Sequence, residues 1–284
     1  MSDSAEGGFR RIGIVGVGLI GGSIAFATRR TFPGVTVVGV DREDVIDAAR
    51  QLGALQAGAT DLRVLDGCDL VVLAAPVRQN VEVLARLPEA LRGAAIVTDA
   101  GSTKRAVVAA AQALPPHLTF IGGHPLAGSA RGGLEASRAD LFERRPWLLT
   151  PTADAPREAV QRLSAFLTGL GATPLELDPD RHDRVLAFTS HLPQLTASAL
   201  MHVVGEAVGE TGLRLAGGGL ADTTRVAASP ASIWTDICAT NADEILPALD
   251  TLITTLQRLR ADLEAGASID PLFASAQRWR RKIT

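Results

Sequence analysis

The chain has no tyrosine and only two cysteines among its 284 residues. The lack of tyrosine excludes oxidoreductase mechanisms in which a tyrosine donates the proton. Cys68 and Cys238 are too few and too far apart for a disulfide framework or a zinc site. We therefore expect no bound metal and a protein that works in a reducing cytoplasm.

Long apolar runs and a large charge excess are also missing. No stretch approaches the ~18 apolar residues of a membrane-spanning helix, and residues 1–8 show no secretion signal. The net charge is −3, so no global attraction to nucleic acid or anionic membrane is expected. The basic run at residues 278–282 has no supporting nucleic-acid-binding motif, and we interpret it as solvated. We therefore expect neither nucleic acid nor membrane as a partner.

Short apolar segments alternate with helical patterns over residues 1–178. The predicted strands are Ile12–Val15, Val35–Val40, Leu70–Ala74, Ala95–Thr98, Leu118–Ile121, Trp147–Leu149 and Thr173–Leu177. The predicted helices between them are Ile20–Arg30, Asp44–Leu52, Val81–Leu87, Lys104–Ala113 and Arg157–Leu170. This alternation is typical of βαβ units, so we predict an α/β domain with a Rossmann-type, doubly wound, mostly parallel sheet.

After Asp178 the strand pattern ends. Two long helices are predicted, Asp180–Glu210 with a bend at Pro193 and Ala242–Ala265 capped by Thr240 or Asn241. Residues 179–284 are thus predicted to form an all-helical C-terminal domain. Helices this apolar are better explained by a homodimer interface than by packing within one chain.

A dinucleotide-binding fingerprint lies near the start of the chain. Strand Ile12–Val15 runs into Gly16-Val-Gly-Leu-Ile-Gly21, and Asp41 ends the next strand 20 residues after Gly21. Gly16 permits a tight turn, Gly18 lets a pyrophosphate approach the backbone, and Gly21 allows close packing of helix on strand. Further candidate cofactor contacts are Leu19, Ile20, Ala75 and Pro76.

Asp41 indicates which dinucleotide binds. Its carboxylate accepts hydrogen bonds from the ribose hydroxyls of NAD and repels the 2′-phosphate of NADP. Arg42, the next residue, could instead pair with that phosphate. We therefore predict NAD, with NADP less favoured. A flavin would also fit the fingerprint alone, but we find no further motif typical of FAD proteins.

Two polar residues follow predicted strands at the carboxyl edge of the sheet, where open α/β sheets bind ligands. Ser102 lies after Ala95–Thr98, and His124 lies after a later strand, within the motif Gly122-Gly-His-Pro-Leu-Ala-Gly128. An imidazole there can serve as general acid or base near neutral pH. In the alternative interpretation, His124 is an ordinary loop residue and Ser102 only caps helix Lys104–Ala113.

At these motifs the sequence resembles the prephenate/arogenate dehydrogenase family. The matching segments, in consistent order, are Gly16-Val-Gly-Leu-Ile-Gly-Gly-Ser23, Asp99-Ala-Gly-Ser-Thr-Lys104, Gly122-Gly-His-Pro-Leu-Ala-Gly128, Ser190-His-Leu-Pro193, and Gly217-Gly-Gly-Leu-Ala-Asp-Thr-Thr-Arg225 with Trp234 following. The resemblance implies a Rossmann domain joined to a helical dimerisation domain. It also implies NAD(P)-dependent oxidative decarboxylation of a cyclohexadiene in tyrosine biosynthesis.

The resemblance further implies roles for single residues. His124 would accept or hydrogen-bond the proton of the ring hydroxyl while hydride leaves for nicotinamide, and Ser102 would steady both groups. Arg225 would bind a substrate carboxylate, the alternative being a surface ion pair with Asp222. Other candidates near the substrate are Ser190, His191, Gln194, Gly218 and Trp234. Of these, His191 could equally be a core residue, and Trp234 is expected to pack in the wall.

Two departures from the family leave the substrate open. Gln194 stands where many prephenate-specific members have a second histidine, and Ala130 stands where they have an acidic residue. A glutamine amide both donates and accepts hydrogen bonds, so it suits the keto group of prephenate or the amine of arogenate. We predict a prephenate dehydrogenase, with an arogenate or dual-specificity cyclohexadienyl dehydrogenase as the alternative.

Two other functions are compatible with the predicted fold. A 3-hydroxyacid dehydrogenase would share the architecture, but such families usually rely on a lysine in the helical domain, and residues 179–281 contain none. A non-catalytic dinucleotide-binding regulator would not need polar groups converging from several strands. Ser102, His124 and Arg225 therefore argue against it.

Overall fold

The first part of the chain is built on one large sheet. A computed structural model describes residues 8–129 and 131–283, and within these ranges eight strands pair side by side. The first seven residues, where we expect no secretion signal, and Ala130 lie outside these ranges. The strands are β1 (Arg11–Val15), β2 (Thr36–Val40), β3 (Ala57–Ala59), β4 (Leu70–Leu73), β5 (Ala95–Asp99), β6 (Leu118–Pro125), β7 (Pro146–Pro151) and β8 (Thr173–Glu176).

The strand order confirms the predicted doubly wound sheet. It runs β3-β2-β1-β4-β5-β6-β7-β8, and every neighbouring pair is parallel except β6 with β7. Because the order reverses between β1 and β4, a crevice forms at the carboxyl ends of these two strands. The helices of this part are α1 (Leu19–Thr31), α2 (Glu43–Gln51), α3 (Val77–Ala90), α4 (Arg105–Ala111) and α5 (Arg157–Gly169).

Both faces of the central strands are buried, which explains their nearly continuous apolar runs. Ile12 and Ile14 of β1 point into one apolar cluster, and Val15 points into the other, on the opposite face. Strand β4 alternates in the same way, with Val72 in the first cluster and Val71 in the second. The sheet is therefore a rigid support for whatever lies at its carboxyl edge.

From residue 179 onward the described elements are all helical. They are α6 (Pro179–Leu186), a π-helical turn (Ala187–His191), α7 (Leu192–Leu213), α8 (Gly218–Thr224), a 3₁₀ turn (Arg225–Ala228), α9 (Ala231–Thr240), α10 (Ala242–Glu264) and α11 (Asp270–Arg280). Asp178 caps α6 by accepting from the amides of Asp180 and Arg181. A domain boundary near Asp178 stays a prediction, and the switch from strands to helices at this residue supports it.

The long helix predicted over Asp180–Glu210 continues through α6, the π-helical turn and α7, because the residues at both junctions have helical φ and ψ. It is broken near its end at Gly209, which has a φ of +60°. Pro193 lies just after the π-helical turn, and a bend at this residue stays a prediction. Helix α10 begins where predicted, but neither predicted residue caps it. Asn241 makes no capping hydrogen bond, because its amide contacts Asp183 and Arg105, and Thr240 bonds to α9 and Thr103.

The helical part leaves much apolar surface uncovered. Its buried apolar cluster consists of Ala187, Ile237 and Ile245, with a few partly buried neighbours. The exposed apolar side chains include Val203, Val208, Leu246, Ile253, Leu256, Leu263 and Phe273. None of the helices within the described ranges is long and apolar enough to cross a membrane.

Candidate active site

The glycine-rich loop between β1 and α1 has the shape that its sequence predicts. Gly16 has a φ of +88°, and a Cβ there would lie 2.7 Å from the backbone nitrogen of Ala75. A Cβ on Gly21 would collide with the carbonyl oxygen of Gly16. At Gly18 a Cβ would meet no atom within 4 Å, so this backbone is open to a ligand. The loop and the free amides at the start of α1 fit a pyrophosphate.

Asp41 is tied to this loop. One carboxylate oxygen accepts from the amide of Val17 at 2.6 Å, and the other accepts from the amide of Arg42 at 2.7 Å. Each oxygen keeps a further lone pair, which a ribose hydroxyl can use. The guanidinium of Arg42 forms two hydrogen bonds of 3.1 Å with exposed Asp44. Both side chains of this ion pair are largely exposed, so it constrains Arg42 only weakly, and the preference for NAD stays a prediction.

A cleft joins the loop to the helical part. Its cavity of about 250 Å³ is lined by the predicted cofactor contacts Leu19, Ile20, Ala75 and Pro76, by Ser102, and by Pro230, Ile233, Asp236 and Ile237 at and within α9. The carboxylate of Asp236 accepts from the backbone amide of Val77 at 2.6 Å and from Nε of Arg78 at 2.8 Å. Asp236 therefore joins α9 to the N-terminus of α3. Nothing in the sequence pattern had singled out this residue.

His124 lies inside a strand. We predicted it just past the end of a strand, but β6 continues to Pro125. Beyond Ile121, β6 pairs only with antiparallel β7, where His124 faces Leu148. The ladder holds the backbone of His124, so its partly buried ring is fixed better than in a loop. The loop alternative is thus wrong. The ring's Nδ1 lies 2.9 Å from Nε2 of His182, a residue that the sequence analysis did not single out.

A buried ion pair joins the segments that carry Ser102 and His124. The ammonium group of fully buried Lys104 contacts the carboxylate of Asp99 and donates to the carbonyl oxygen of Gly123 at 2.6 Å. Asp99 also accepts from the amides of Gly123 and Gly101. Burial lowers the pKa of Lys104, although the attraction of Asp99 opposes this. These bonds hold the backbone beside His124 in one position.

Ser102 does not cap the helix that follows it, so that alternative is wrong. Helix α4 begins at Arg105, and the carboxylate of Asp183 accepts from the amides of Lys104 at 2.7 Å and Arg105 at 2.9 Å. The hydroxyl of Ser102 has no hydrogen-bond partner among the described residues and lines the cleft. A role for Ser102 in holding the substrate hydroxyl stays a prediction.

His191 is a core residue that contacts a second candidate. Its Nδ1 lies 3.3 Å from the amide nitrogen of Asn241, and its ring meets the ring of Trp234 edge to face, with centroids 6.0 Å apart. The Nε2 atom is buried without a partner among the described residues. Burial lowers the pKa of His191 to about 4. Trp234 is partly buried in the apolar cluster of the helical part, as expected for a wall residue.

Acidification should destabilise the protein through its buried histidines. Burial lowers the pKa of His124, His182 and His191 below the ordinary 6.5, so below that pH the unfolded chain binds protons more readily than the folded chain. The free energy of unfolding is then highest above about pH 6.5 and falls as the pH drops toward the folded-state pKa. Protonation of His191 alone should lower the free energy of unfolding by on the order of 3 kcal/mol by about pH 4.

Urea unfolding between about pH 7 and pH 4 measures this loss. His191→Asn should flatten the acid decline, whereas His202→Asn, at an exposed position on α7, should not. A free energy of unfolding that stays constant over this range would show that folding does not lower the pKa of the buried histidines.

Arg225 and Gln194 belong to one local structure. Arg225 begins the 3₁₀ turn after α8, whose first residue is Gly218, and its side chain is exposed. Among the described residues it forms no ion pair, so the predicted alternative of a pair with Asp222 is wrong. The amide of Gln194 donates to the carbonyl oxygen of Val226 at 2.8 Å and accepts from the Ser229 hydroxyl at 3.3 Å. Gln194 therefore holds the turn that presents Arg225.

The candidate residues thus form three groups. Ser102 lies at the cofactor cleft, His124 lies on β6 against His182, and Arg225 lies on the turn held by Gln194. Ser190 is partly buried in the π-helical turn. Among the described residues, no hydrogen bond or ion pair links Arg225 to Ser102 or His124.

The doubly wound sheet with its open glycine-rich loop defines the class of protein, a dinucleotide-dependent oxidoreductase with a helical second part. Comparison with protein families identifies the particular family. Residues 24–175 match the nucleotide-binding domain of prephenate dehydrogenase, and residues 178–275 match its dimerization domain. The chain belongs to the prephenate dehydrogenase family.

Individual relatives agree with this assignment. The prephenate dehydrogenase of Bacillus subtilis is 36% identical over 261 residues, which cover 88% of this chain and 69% of that protein. The cyclohexadienyl dehydrogenase of Zymomonas mobilis is 37% identical over 257 residues, covering 89% of this chain and 88% of that protein.

Two solved structures share the whole architecture. The A. aeolicus prephenate dehydrogenase in complex with hydroxyphenyl propionate and NAD+ has a TM-score of 0.88 at 30% identity, over 97% of this chain and 98% of that one. The Synechocystis arogenate dehydrogenase has a TM-score of 0.82 at 29% identity, over 96% of this chain and 100% of that one.

Proposed function

We propose that this enzyme catalyses the NAD-dependent oxidative decarboxylation of prephenate to 4-hydroxyphenylpyruvate, a step of tyrosine biosynthesis. The observation that carries the proposal is His124, which is fixed on β6 and whose Nε2 is left without a partner among the described residues. The names of the relatives from B. subtilis and A. aeolicus support prephenate as the substrate. A cytoplasmic location, expected from the cysteine content, stays a prediction.

The residues of the site have separate roles in the proposed reaction. NAD, when bound, supplies the acceptor for the hydride that leaves the ring carbon bearing the hydroxyl. His124 accepts the hydrogen bond, or the proton, of that hydroxyl. The electron density that this leaves on the oxygen helps the hydride to depart from the ring carbon. Loss of the ring carboxylate is downhill because the product ring is aromatic. The protein therefore needs little more than alignment and one base.

Arogenate is the second candidate substrate. The relatives named cyclohexadienyl and arogenate dehydrogenase support it. Gln194 alone does not decide between the substrates. Its amide N–H groups donate within the chain to Val226 and Ser198, whereas its oxygen accepts from Ser229 and keeps one further lone pair.

Assays of the purified protein with NAD and either substrate test the proposal. We expect reduced nicotinamide to form with prephenate, at a higher kcat/KM than with arogenate. Similar values for both substrates would make the enzyme a cyclohexadienyl dehydrogenase, and a preference for arogenate would replace the proposed substrate. Absence of reduced nicotinamide with both substrates would refute the proposed function.

Asp41 should control the choice between NAD and NADP. Asp41→Ser removes the carboxylate that repels the 2′-phosphate, so the ratio of kcat/KM for NADP to that for NAD should rise about tenfold or more. Asp47→Ser changes an exposed acid on helix α2, which begins two residues after Asp41, and should leave the ratio unchanged. If the wild type already prefers NADP, Arg42 decides the specificity and the interpretation of Asp41 is wrong.

We also propose that two copies of the chain associate through their helical parts. The match to the dimerization domain and the exposed apolar side chains of α7 and α10 support this. Light scattering should give the mass of a dimer, and Leu256→Asp on α10 should shift it toward the monomer, since a buried carboxylate opposes association. Leu52→Asp, at an exposed apolar position beside α2, is the control. A wild-type monomer at micromolar concentration would refute the dimer.

A further inference from the structure

Two adjacent residues of α6, His182 and Asp183, connect the helical part to His124. Both side chains are fully buried. Nε2 of His182 lies 2.9 Å from Nδ1 of His124, and Nδ1 of His182 lies 2.8 Å from a carboxylate oxygen of Asp183. An unbroken line of hydrogen bonds therefore runs from a buried carboxylate through two imidazoles.

Asp183 is held as a carboxylate by its neighbours. Besides His182, it accepts from the amides of Lys104 and Arg105 and from Nε of Arg105 at 3.2 Å. Burial opposes ionisation, but these hydrogen bonds outweigh it and lower the pKa of Asp183. A carboxylate can only accept hydrogen bonds, so Nδ1 of His182 must carry the proton in their shared bond.

The proton on Nδ1 of His182 determines the direction of the hydrogen bond between His182 and His124. A neutral imidazole has one N–H donor and one acceptor nitrogen, so Nε2 of His182 is the acceptor toward His124. The donor in that bond must then be Nδ1–H of His124. The remaining ring nitrogen, Nε2 of His124, keeps its lone pair. This atom has no partner among the described residues, and it is not among their buried unpaired atoms.

We propose that His182, oriented by Asp183, is a positioning residue that holds His124 in the Nδ1–H tautomer, so that Nε2 is the base for the substrate hydroxyl. The inference rests on the proposed function, because it gives a reason why His124 accepts a proton at one defined atom. It parallels sites where a carboxylate fixes the tautomer of a base directly. Here a second imidazole stands between the two groups. As His124 becomes positive, the acceptor nitrogen of His182 and the nearby carboxylate stabilise it.

Histidine tautomers can be measured without any substrate. Nitrogen-15 NMR of the full chain, labelled at its five histidines, distinguishes protonated from unprotonated ring nitrogens. His124→Asn and His182→Gln assign the two spin systems. We expect protonated Nδ1 and bare Nε2 in both rings at neutral pH. A proton on Nε2 of His124 in the wild type would overturn the inference. The expected tautomers in a protein inactive on prephenate would uphold the positioning and refute only the proposed function.

Kinetics of His182 variants test the consequence for catalysis. His182→Leu removes the acceptor and should lower kcat about 10- to 100-fold with little change in KM or in NAD affinity. His182→Gln keeps an acceptor oxygen near the place of Nε2 and should retain most of kcat. A kcat within about twofold of wild type in the leucine variant, or an equal loss in both variants, would overturn the positioning role.

The double variant separates positioning from a purely structural effect. If His182 acts through His124, then His182→Leu added to His124→Asn should slow the enzyme no further. A further loss equal to that of His182→Leu alone would mean that His182 acts elsewhere. Should the leucine variant fail to fold, the tautomer measurement on the wild-type protein still decides the question.

Discussion

Replacing His124 with asparagine is expected to lower kcat by about two to four powers of ten, the usual contribution of a general acid–base group. The amide nitrogen of asparagine takes about the place of Nδ1 of histidine and can still donate to His182, so the fold should survive. The backbone of His124 is held by the β6–β7 ladder and not by its ring. NAD affinity should be unchanged, because the glycine-rich loop and Asp41 are not touched.

His202→Asn is the matched control, because His202 is exposed on α7 and has no hydrogen bond within the described residues. Steady-state kinetics with prephenate, together with NAD titration and thermal unfolding, provide the comparison. A His124→Asn enzyme with nearly wild-type kcat would remove His124 from the mechanism.

Replacing Arg225 with alanine is expected to raise KM for the substrate strongly, by roughly 30- to 1000-fold. This corresponds to about 2–4 kcal/mol for the loss of a charge-assisted bidentate pair. Arg225 is exposed at the start of its turn and has no partner carboxylate among the described residues, so its guanidinium is free to bind a substrate carboxylate. The effect on kcat should be smaller if this contact is equal in ground and transition states.

Arg214→Ala serves as the control, since Arg214 is an exposed arginine at the end of α7 without a side-chain hydrogen bond among the described residues. NAD affinity should barely change in either variant. If Arg225→Ala loses NAD binding but keeps its substrate KM, Arg225 does not hold the substrate, and a substrate site between the two parts of the chain becomes untenable.

The parts of the fold that the sequence predicted are those with a local signal. The spacing of a few glycines predicts the loop and, with it, the place of Asp41. Short runs of branched apolar side chains predict the strands β1 and β4. Strand β3 was missed because Ala57-Gly-Ala59 has no such run. Strand β6 was predicted too short, because its last residues, Gly122 to Pro125, have low β-propensity and are held by pairing with β7.

The parts of the site that remained hidden depend on contacts between distant segments. His182 and His124 are 58 residues apart, and Asp183 caps a helix whose start, Arg105, lies 78 residues earlier in the chain. Neither His182 nor Asp183 belongs to the segments that carry the family resemblance. The one available signal was an Asp next to a His within a short polar stretch at the start of a helix. Such a pair is common on solvated helices and carries little information alone.

The carboxylates of Asp183 and Asp236 have a mechanical consequence for the whole molecule. Each one, supplied by the helical part, satisfies backbone amides at the N-terminus of a helix in the Rossmann part, α4 and α3 respectively. A helix cap of this kind stabilises by about 0.5–2 kcal/mol. A rotation that moved the helical part away from both α3 and α4 would break both caps. The two aspartates therefore favour one position of the helical part relative to α3 and α4, and with it one width of the cleft that Asp236 lines.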